Sequence, residues 1–391
     1  MKLGCFILML FLACDLFAQD DTLKEAPKES NLKLNGYVKK LHGIFLYPDE
    51  NSLQWALVHN RLNSKWNPSS NFSTVLEIRN RILYGENVKN GMYNSKLLDR
   101  DNGAADLTFL PFDTKSAKMV TSVERFWARY TIKNTEITLG RQRINWGVNL
   151  VWNPNDIFNT YSFIDFDYEE RTGSDAIRLK IGAGEMSALE LAAKPGKNKN
   201  DDVYAFMYKM NKAGFDFQLL FGLYEKDASV GTGWAGNIGK IGFKGEATYF
   251  HEAQNFSDTC GMINATTEFD YTIVGKVYVN ASYLFNSEGL TTPDVAASSQ
   301  LVTNGNVTAK FLSPSMHSAF LQIKSISSPV FSTGISGIYF FEMNGLYLFP
   351  SLSYSINDRW EASIFLQSYW LKEKEMENKM NNLLIRIKCS F

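Results

Sequence analysis

The chain is poor in the residues that build disulfide frameworks and metal centres. It holds four cysteines and four histidines in 391 residues. Cys5 and Cys14 fall in an amino-terminal leader, which leaves Cys260 and Cys389 far apart. Two distant thiols make no disulfide framework, and no Cys/His spacing matches a zinc site. An excess of either charge is also missing: 40 Lys and Arg stand against 41 Asp and Glu. That balance excludes the basic surface that nucleic-acid binding needs. Past the leader no apolar run reaches about eighteen residues, which excludes helical membrane spans. No glycine-rich phosphate loop occurs. His42, His59, His251 and His317 lie in or beside predicted strands, with no serine or aspartate at a telling spacing. No catalytic residue, metal or cofactor is therefore expected. The one enzymatic alternative is a barrel enzyme, and it hangs on whether His251 has an acidic or hydroxyl partner in space.

Aromatic residues are abundant, at 14% of the chain. Their arrangement is informative. In residues 381–391, Leu383, Ile385, Ile387, Cys389 and Phe391 fall on one side, and Leu384, Arg386, Lys388 and Ser390 on the other. A period of two is a strand pattern, because successive side chains point to opposite faces. One oily face and one basic face, ending on an aromatic residue, suit the closing strand of a membrane barrel. The pattern recurs. Leu76, Ile78 and Ile82 oppose Glu77, Arg79 and Arg81; Phe126, Ala128 and Tyr130 oppose Arg125, Trp127 and Arg129; Ile177, Leu179 and Ile181 oppose Arg178 and Lys180. A Lys or Arg facing lipid at mid-bilayer costs about 2–4 kcal/mol, so strand after strand hiding its bases is a strong constraint.

Alternation and turn residues predict about eighteen strands between 33 and 391, with sixteen as the alternative. The fold class is an all-β, transmembrane, antiparallel up-and-down β-barrel. Tight connections such as Lys133-Asn134 and Asn357-Asp358 largely alternate with longer ones, as in barrels with short turns at one end and long loops at the other. Residues 1–19 read as a secretory signal peptide: Lys2, an apolar run from Gly4 to Ala13, and the small residue Ala18. A lipoprotein signal at Cys14 has a poor lipobox. Residues 20–31 read as a flexible periplasmic lead-in, and 32–391 as one barrel domain. The expected location is the outer membrane of a Gram-negative cell, with outer-membrane lipid as partner and the barrel assembly machinery engaging the strand that ends at Phe391.

The inward set predicted from alternation is Arg79, Arg81, Arg125, Arg129, Arg178, Lys180, Lys244, Lys276, Arg386 and Lys388, against few acids. Such a wall concentrates anions. Equally, acids from inward-folded loops could pair with it and leave no net selectivity. The segment 139–159 reads LGRQRINWGVNLVWNPNDIFN. This G-R-Q-x-x-x-W-G … N-P-x-D stretch resembles outer-membrane porin-like barrels of Gram-negative bacteria related to the alginate-export porins, over about twenty residues. The resemblance implies a passive pore or exporter for small or sugar-like solutes. The loop that follows is aromatic and acidic, with Tyr161, Asp165, Asp167 and Glu169. It is expected to fold inward with Trp146, Trp152 and Asp156 and constrict the lumen. Its acids would meet Arg125, Arg129, Arg141 or Arg143, and its rings would stack on sugars. A surface loop with its own aromatic cluster is the plainer reading. A filled barrel that works by binding at its loops is the functional alternative to a pore.

Overall fold

The computed structural model describes residues 31–47, 52–99, 101, 103–160, 163, 170, 173–198, 200–257, 259–292, 307–325, 328–373 and 376–391. The leader and nearly all of the lead-in lie outside this set. Among the described residues nineteen strands run in order. They are β1 (Leu32–Leu46), β2 (Leu53–Ser69), β3 (Phe72–Gly85), β4 (Thr108–Asp113), β5 (Ala117–Ile132), β6 (Thr135–Gln142), β7 (Ser174–Gly184), β8 (Ser187–Lys194), β9 (Val203–Lys212) and β10 (Phe215–Tyr224). There follow β11 (Asp227–Ile238), β12 (Ile241–Glu252), β13 (Met262–Ile273), β14 (Val277–Asn286), β15 (His317–Ser325), β16 (Phe331–Phe340), β17 (Gly345–Ser355), β18 (Trp360–Glu373) and β19 (Met376–Ser390).

Eighteen of them close a ring by antiparallel pairing between neighbours, and β4 stands apart, pairing with β5 alone. Closure runs between β19 and β1, from Tyr37 opposite Ser390 to Leu46 opposite Asn381. The ladder extends one step further, since Gly36 and Phe391 exchange both backbone hydrogen bonds at 2.9 and 3.0 Å. Gly36 is required there: a Cβ would stand 2.2 Å from the Arg61 carbonyl oxygen and 3.0 Å from the Phe391 ring.

Why the ring forms is visible in its faces. Ile137, Leu139, Ile177, Leu191, Phe217, Phe221, Ile323, Ile364 and Ile387 are all exposed on the outside, while Gln218, Glu246, Thr248, Asn264, Glu268 and Asn280 are buried inside. An apolar exterior of this extent around a polar interior needs a lipid surround. Among the described residues each ring strand pairs with a neighbour on both sides, so no edge is left in the apolar zone. Hairpins at one end are tight. At the loop end the β16–β17 connection is also short, and there Asn344 adopts φ 45 beside Gly345.

Two irregularities shape the loop end. A bulge at Glu124 shifts the β3–β5 register between Glu77 and Ile78. The part of β5 above it, from Lys118 to Ser122, pairs with β4 on one side and β3 on the other. Below it, Phe126 to Ile132 pairs with β6. The chain leaves the wall at Gln142, and β4 takes over the vacated edge. Helical turns α1 (Glu86–Lys89) and α2 (Ser95–Leu98) precede it. Val88 packs into the interior with Leu41, Trp55, Leu57, Leu83, Val120, Phe365 and Leu384.

Arg141 ties this junction. Its guanidinium donates to both Asp101 oxygens at 2.8 and 2.9 Å, to Asp175 at 2.8 and 2.9 Å, and to the carbonyls of Ala105 and Val123. Burial by itself would raise the Asp101 pKa, but hydrogen bonds from Arg141 and from the Gly103 and Leu107 amides outweigh it and hold the carboxyl below its usual range. A depressed folded value means that this anchor is fully present above the unfolded carboxyl pKa of about 3.9 and is lost as pH falls through the folded one. The Gly103 and Leu107 amides should therefore keep their hydrogen-exchange protection, corrected for intrinsic rate, from pH 8 to about 4 and lose it in stronger acid. Equal protection at pH 2 would remove Asp101 as the anchor.

Candidate functional site: the lumen wall

Around the ring the inner wall divides into three sectors of different chemistry. The first is basic and spans β19, β1, β2, β3 and β5. Lys39 stands opposite Lys388 on one side and His59 on the other, and His59 stands opposite Arg81. Four bases on four adjacent strands thus face one another in register, an arrangement that costs stability unless anions offset it. Tyr37 lies between two ammonium groups, with Lys388 4.6 Å and Lys39 5.6 Å from its ring centre. Its hydroxyl meets His59 Nε2 at 3.3 Å. Lys39 is only 1% exposed, and Arg81 Nε is buried with no hydrogen-bond partner. Among the described residues Arg81 has no acidic partner.

The bases around this row are paired. Arg61 meets Glu77, and Arg61 and Arg125 both meet Glu170 at 3.2 Å. Arg79 meets Glu124 at 2.8 Å, and Arg386 meets Glu361 at 2.5 Å. Arg386 also lies 4.9 Å over the Phe365 ring. Further round, Arg129 faces Glu136 at 3.5 Å, Arg178 holds Glu190 at 2.5 Å, and Lys180 stands between Glu136 and Glu190 in the ladder. Lys244 bridges Glu268 at 3.5 Å and Asp270 at 3.2 Å. Lys276 falls in the turn between β13 and β14, exposed, rather than in the wall where alternation had put it. The reason is a strand boundary three residues later than expected: β14 starts at Val277.

The second sector holds the loop between β6 and β7. Its acids act as pegs for loop backbone. Glu246 on β12 accepts from the amides of Val148, Asn149 and Asn155, the last two at 3.1 and 3.0 Å. Glu268 on β13 accepts from the Leu150 amide at 2.8 Å. Glu190 on β8 accepts from the Trp146 indole at 2.8 Å. Asp156 folds the loop on itself by accepting from the Trp146 and Gly147 amides at 2.6 and 2.8 Å. Asn155 reaches β11 and β12, donating to the Thr232 carbonyl at 3.1 Å and accepting from Thr248 at 2.7 Å. Gly231 and Gly233 make room for it. A Cβ at Gly231 would come within 2.5 Å of Asn155 Oδ1, so this pair serves loop seating.

Trp146 and Trp152 are therefore not open stacking platforms. Trp146 is 1% exposed and packs edge-on to Phe158, 5.0 Å between ring centres. Trp152 joins a buried cluster with Leu284, Phe320, Ile338, Phe340 and Tyr347. Tyr161, Asp165, Asp167 and Glu169 lie outside the described residues. The loop touches the wall again at Phe163, 4.8 Å from Phe320 on β15, and at Glu170 on β2 and β5, on the far side of the ring. The expected acid–base meeting inside the barrel thus occurs at Arg125 through Glu170. Arg141 belongs to the β4 junction instead, and Arg143 donates to Asn145 at 3.0 Å.

The third sector, β14 to β18, is neutral and hydroxylic: Asn280, Ser282, Gln322, Ser336, Ser363 and Gln367 face inward. Above them Tyr347, Phe349 and Phe365 form a stacked run, 6.5 and 5.5 Å between centres. His251 stacks on Phe256 at 3.9 Å and its Nδ1 meets only the Glu252 carbonyl. Among the described residues no carboxylate or hydroxyl bonds to it.

Sequence reading missed Lys39, His59 and Arg61. In β1 and β2 polar residues occupy both faces, as in Lys39-Lys40 and His59-Asn60-Arg61, so alternation alone assigns no inside. The signal that could have found them is the register with β3, whose faces are unambiguous.

No known family pattern matches the sequence, and no curated protein does. Solved structures do. The chain resembles OccAB2 of Acinetobacter baumannii at a TM-score of 0.60 and 9% identity, over 94% of this chain and 99% of that one. It resembles OccK1 (OpdK) of Pseudomonas aeruginosa at 0.57 and 9% identity, over 92% and 98%. A BenF-like porin from Pseudomonas fluorescens Pf-5 aligns at 0.55 and 10% identity, over 92% and 99%. The likeness is one of fold: complete barrels of matching extent.

Proposed function

We propose that the chain is an outer-membrane channel through which small polar solutes diffuse, with anions favoured. The observation that carries this reading is the in-register row Lys388, Lys39, His59 and Arg81, set against a wall whose acids are engaged by loop amides. Glu246 and Glu268 spend their charge on backbone N–H groups and Lys244, and the loop lies over the acidic sector. The barrel size supports the reading, since rings of about this strand number enclose an aqueous lumen. The porin fold of the structural neighbours supports it too, and the segment from Gly140 to Asp156 supports kinship with the alginate-export porins. The strand that ends at Phe391 is the element offered to the barrel assembly machinery.

Single-channel recordings of the full chain in a salt gradient test the proposal. The expected reversal potential has the sign of anion preference, and clear cation preference would remove it. A second reading, a filled barrel working at its surface, is favoured by the apolar cluster of Val151, Trp152, Leu312 and Phe340 inside the loop end. Liposome swelling separates the two, because a filled barrel admits no sugar.

A further inference from the structure

The ion pairs on β2, β3 and β5 form a closed circuit. Glu77 meets Arg61 and Arg125, and Glu170 meets the same two guanidinium groups at 3.2 Å each. Two acids and two bases thus alternate around one quadrilateral. Three corners are strand residues whose places the ladder sets: Glu77 stands opposite Asn63, two residues past Arg61 on β2, and opposite Arg125 on β5. The fourth, Glu170, belongs to the connection between β6 and β7. Exposure separates them in the same way. Arg61 is 2% exposed, Glu77 11% and Arg125 14%, while Glu170 is 37% exposed. The Glu170 carboxylate therefore lies on the lumen side of the two arginines. Along β2 the circuit is one step nearer the tight-hairpin end than the basic row, since Arg61 stands opposite Arg79 as His59 stands opposite Arg81. An anion leaving the row toward that end meets it next.

We propose that Glu170 is a chain-borne competitor for permeating anions: its carboxylate occupies the seat between Arg61 and Arg125 that a solute anion takes in transit, and the two exchange there. The inference rests on the anion-preferring channel proposed above and adds a specificity-determining residue to it. The exchange is of like for like. A single oxygen, Glu170 Oε2, takes both guanidinium groups. A solute offering one anionic oxygen restores the circuit without moving the wall. A cation or a neutral solute does not restore it. Two guanidinium groups and one carboxylate then keep a surplus positive charge at the nearly buried Arg61, where an uncompensated charge costs more than at the surface. The competitor also limits how long an anion stays. A tethered carboxylate acts at an effective concentration on the order of millimolar. Passage needs a seat favourable enough to enter and weak enough to leave.

The test is single-channel conductance of the full chain against potassium acetate concentration, read as the concentration of half-saturation. Glu170→Gln keeps the shape and removes the charge. It should lower that concentration about fivefold, the contribution of a partly exposed ion pair. Glu170→Asp keeps the charge but withdraws it by one methylene from the arginines, and should lower the value by about half as much on a logarithmic scale. The second variant separates contact from field: an acid acting only through its charge would leave Glu170→Asp at the wild-type value. That result overturns the proposal, and so does an unchanged Glu170→Gln. Heat-dependent gel mobility verifies that each variant is a folded barrel; if Glu170→Gln fails to fold, Glu170→Asp decides alone. Failure of the channel reading looks different. A wild type that passes no current, or one with clear cation preference in a salt gradient, overturns both before Glu170 is altered.

Discussion

Glu246→Ala should release the loop between β6 and β7 from the wall. The carboxylate accepts three loop amides and is fully buried. Hydrogen bonds to a charged acceptor contribute about 1.5–3 kcal/mol each, and orphaned buried N–H groups add a desolvation cost. Water entering the vacated space offsets part of that, leaving a local loss on the order of 4 kcal/mol. Exchange of the Val148, Asn149 and Asn155 amides should therefore speed up roughly a thousandfold, at tenfold per 1.4 kcal/mol. Conductance should become noisy or larger as the loop samples the lumen. Glu246→Gln keeps the shape and two acceptor lone pairs, so it should show about half the effect in free energy. Unchanged exchange in Glu246→Ala would mean that neighbours such as Asp156 and Asn155 hold the loop without the wall.

Lys39→Glu with Arg81→Glu should invert ion preference. The double change moves the row by four charge units. An ion about 10 Å away in an effective dielectric of about 40 feels roughly 0.8 kcal/mol per unit, or about 3 kcal/mol in all. Screening at 0.1 M salt, with a Debye length of about 10 Å, cuts this to roughly 1.2 kcal/mol. The anion is disfavoured and the cation favoured by this amount, so the anion-to-cation permeability ratio should fall roughly fiftyfold, enough to reverse a mild anion preference. Lys39→Met with Arg81→Met should give roughly an eightfold fall and is the safer fold. Lys276→Glu, in the exposed turn, is the control and should leave the ratio near the wild-type value. A ratio unmoved by either double variant would show that ions pass elsewhere.

The eighteen ring strands were legible because an alternating segment has one answer in a barrel: each base hidden from lipid marks a face. Boundaries slipped where turns carry strand-like residues. Tyr271, Ile273 and Val277 flank a turn made of Val274, Gly275 and Lys276, so Lys276 was read as wall. The strand Thr108–Asp113 escaped because it is short, holds Pro111 and lies outside the ring. The inward course of the loop after Gln142 was legible in its mix of acids and rings. What its tryptophans do was not, since an indole packed into a core and one offered to a sugar share the same local sequence. Glu124 and Gly231 gained their roles only through neighbours brought by register: Arg79 for one, Asn155 for the other.

The reciprocal bond between Gly36 and Phe391 has a kinetic corollary. Residues nearly a whole chain length apart must meet before the last hairpins are protected, the most non-local contact the polypeptide makes. Zipping of neighbouring hairpins proceeds without it, but each open sheet keeps two raw margins able to capture a neighbour. Extra residues fused after Phe391 would crowd this final rendezvous, so a purification handle there should slow maturation far more than one placed in the β12–β13 connection.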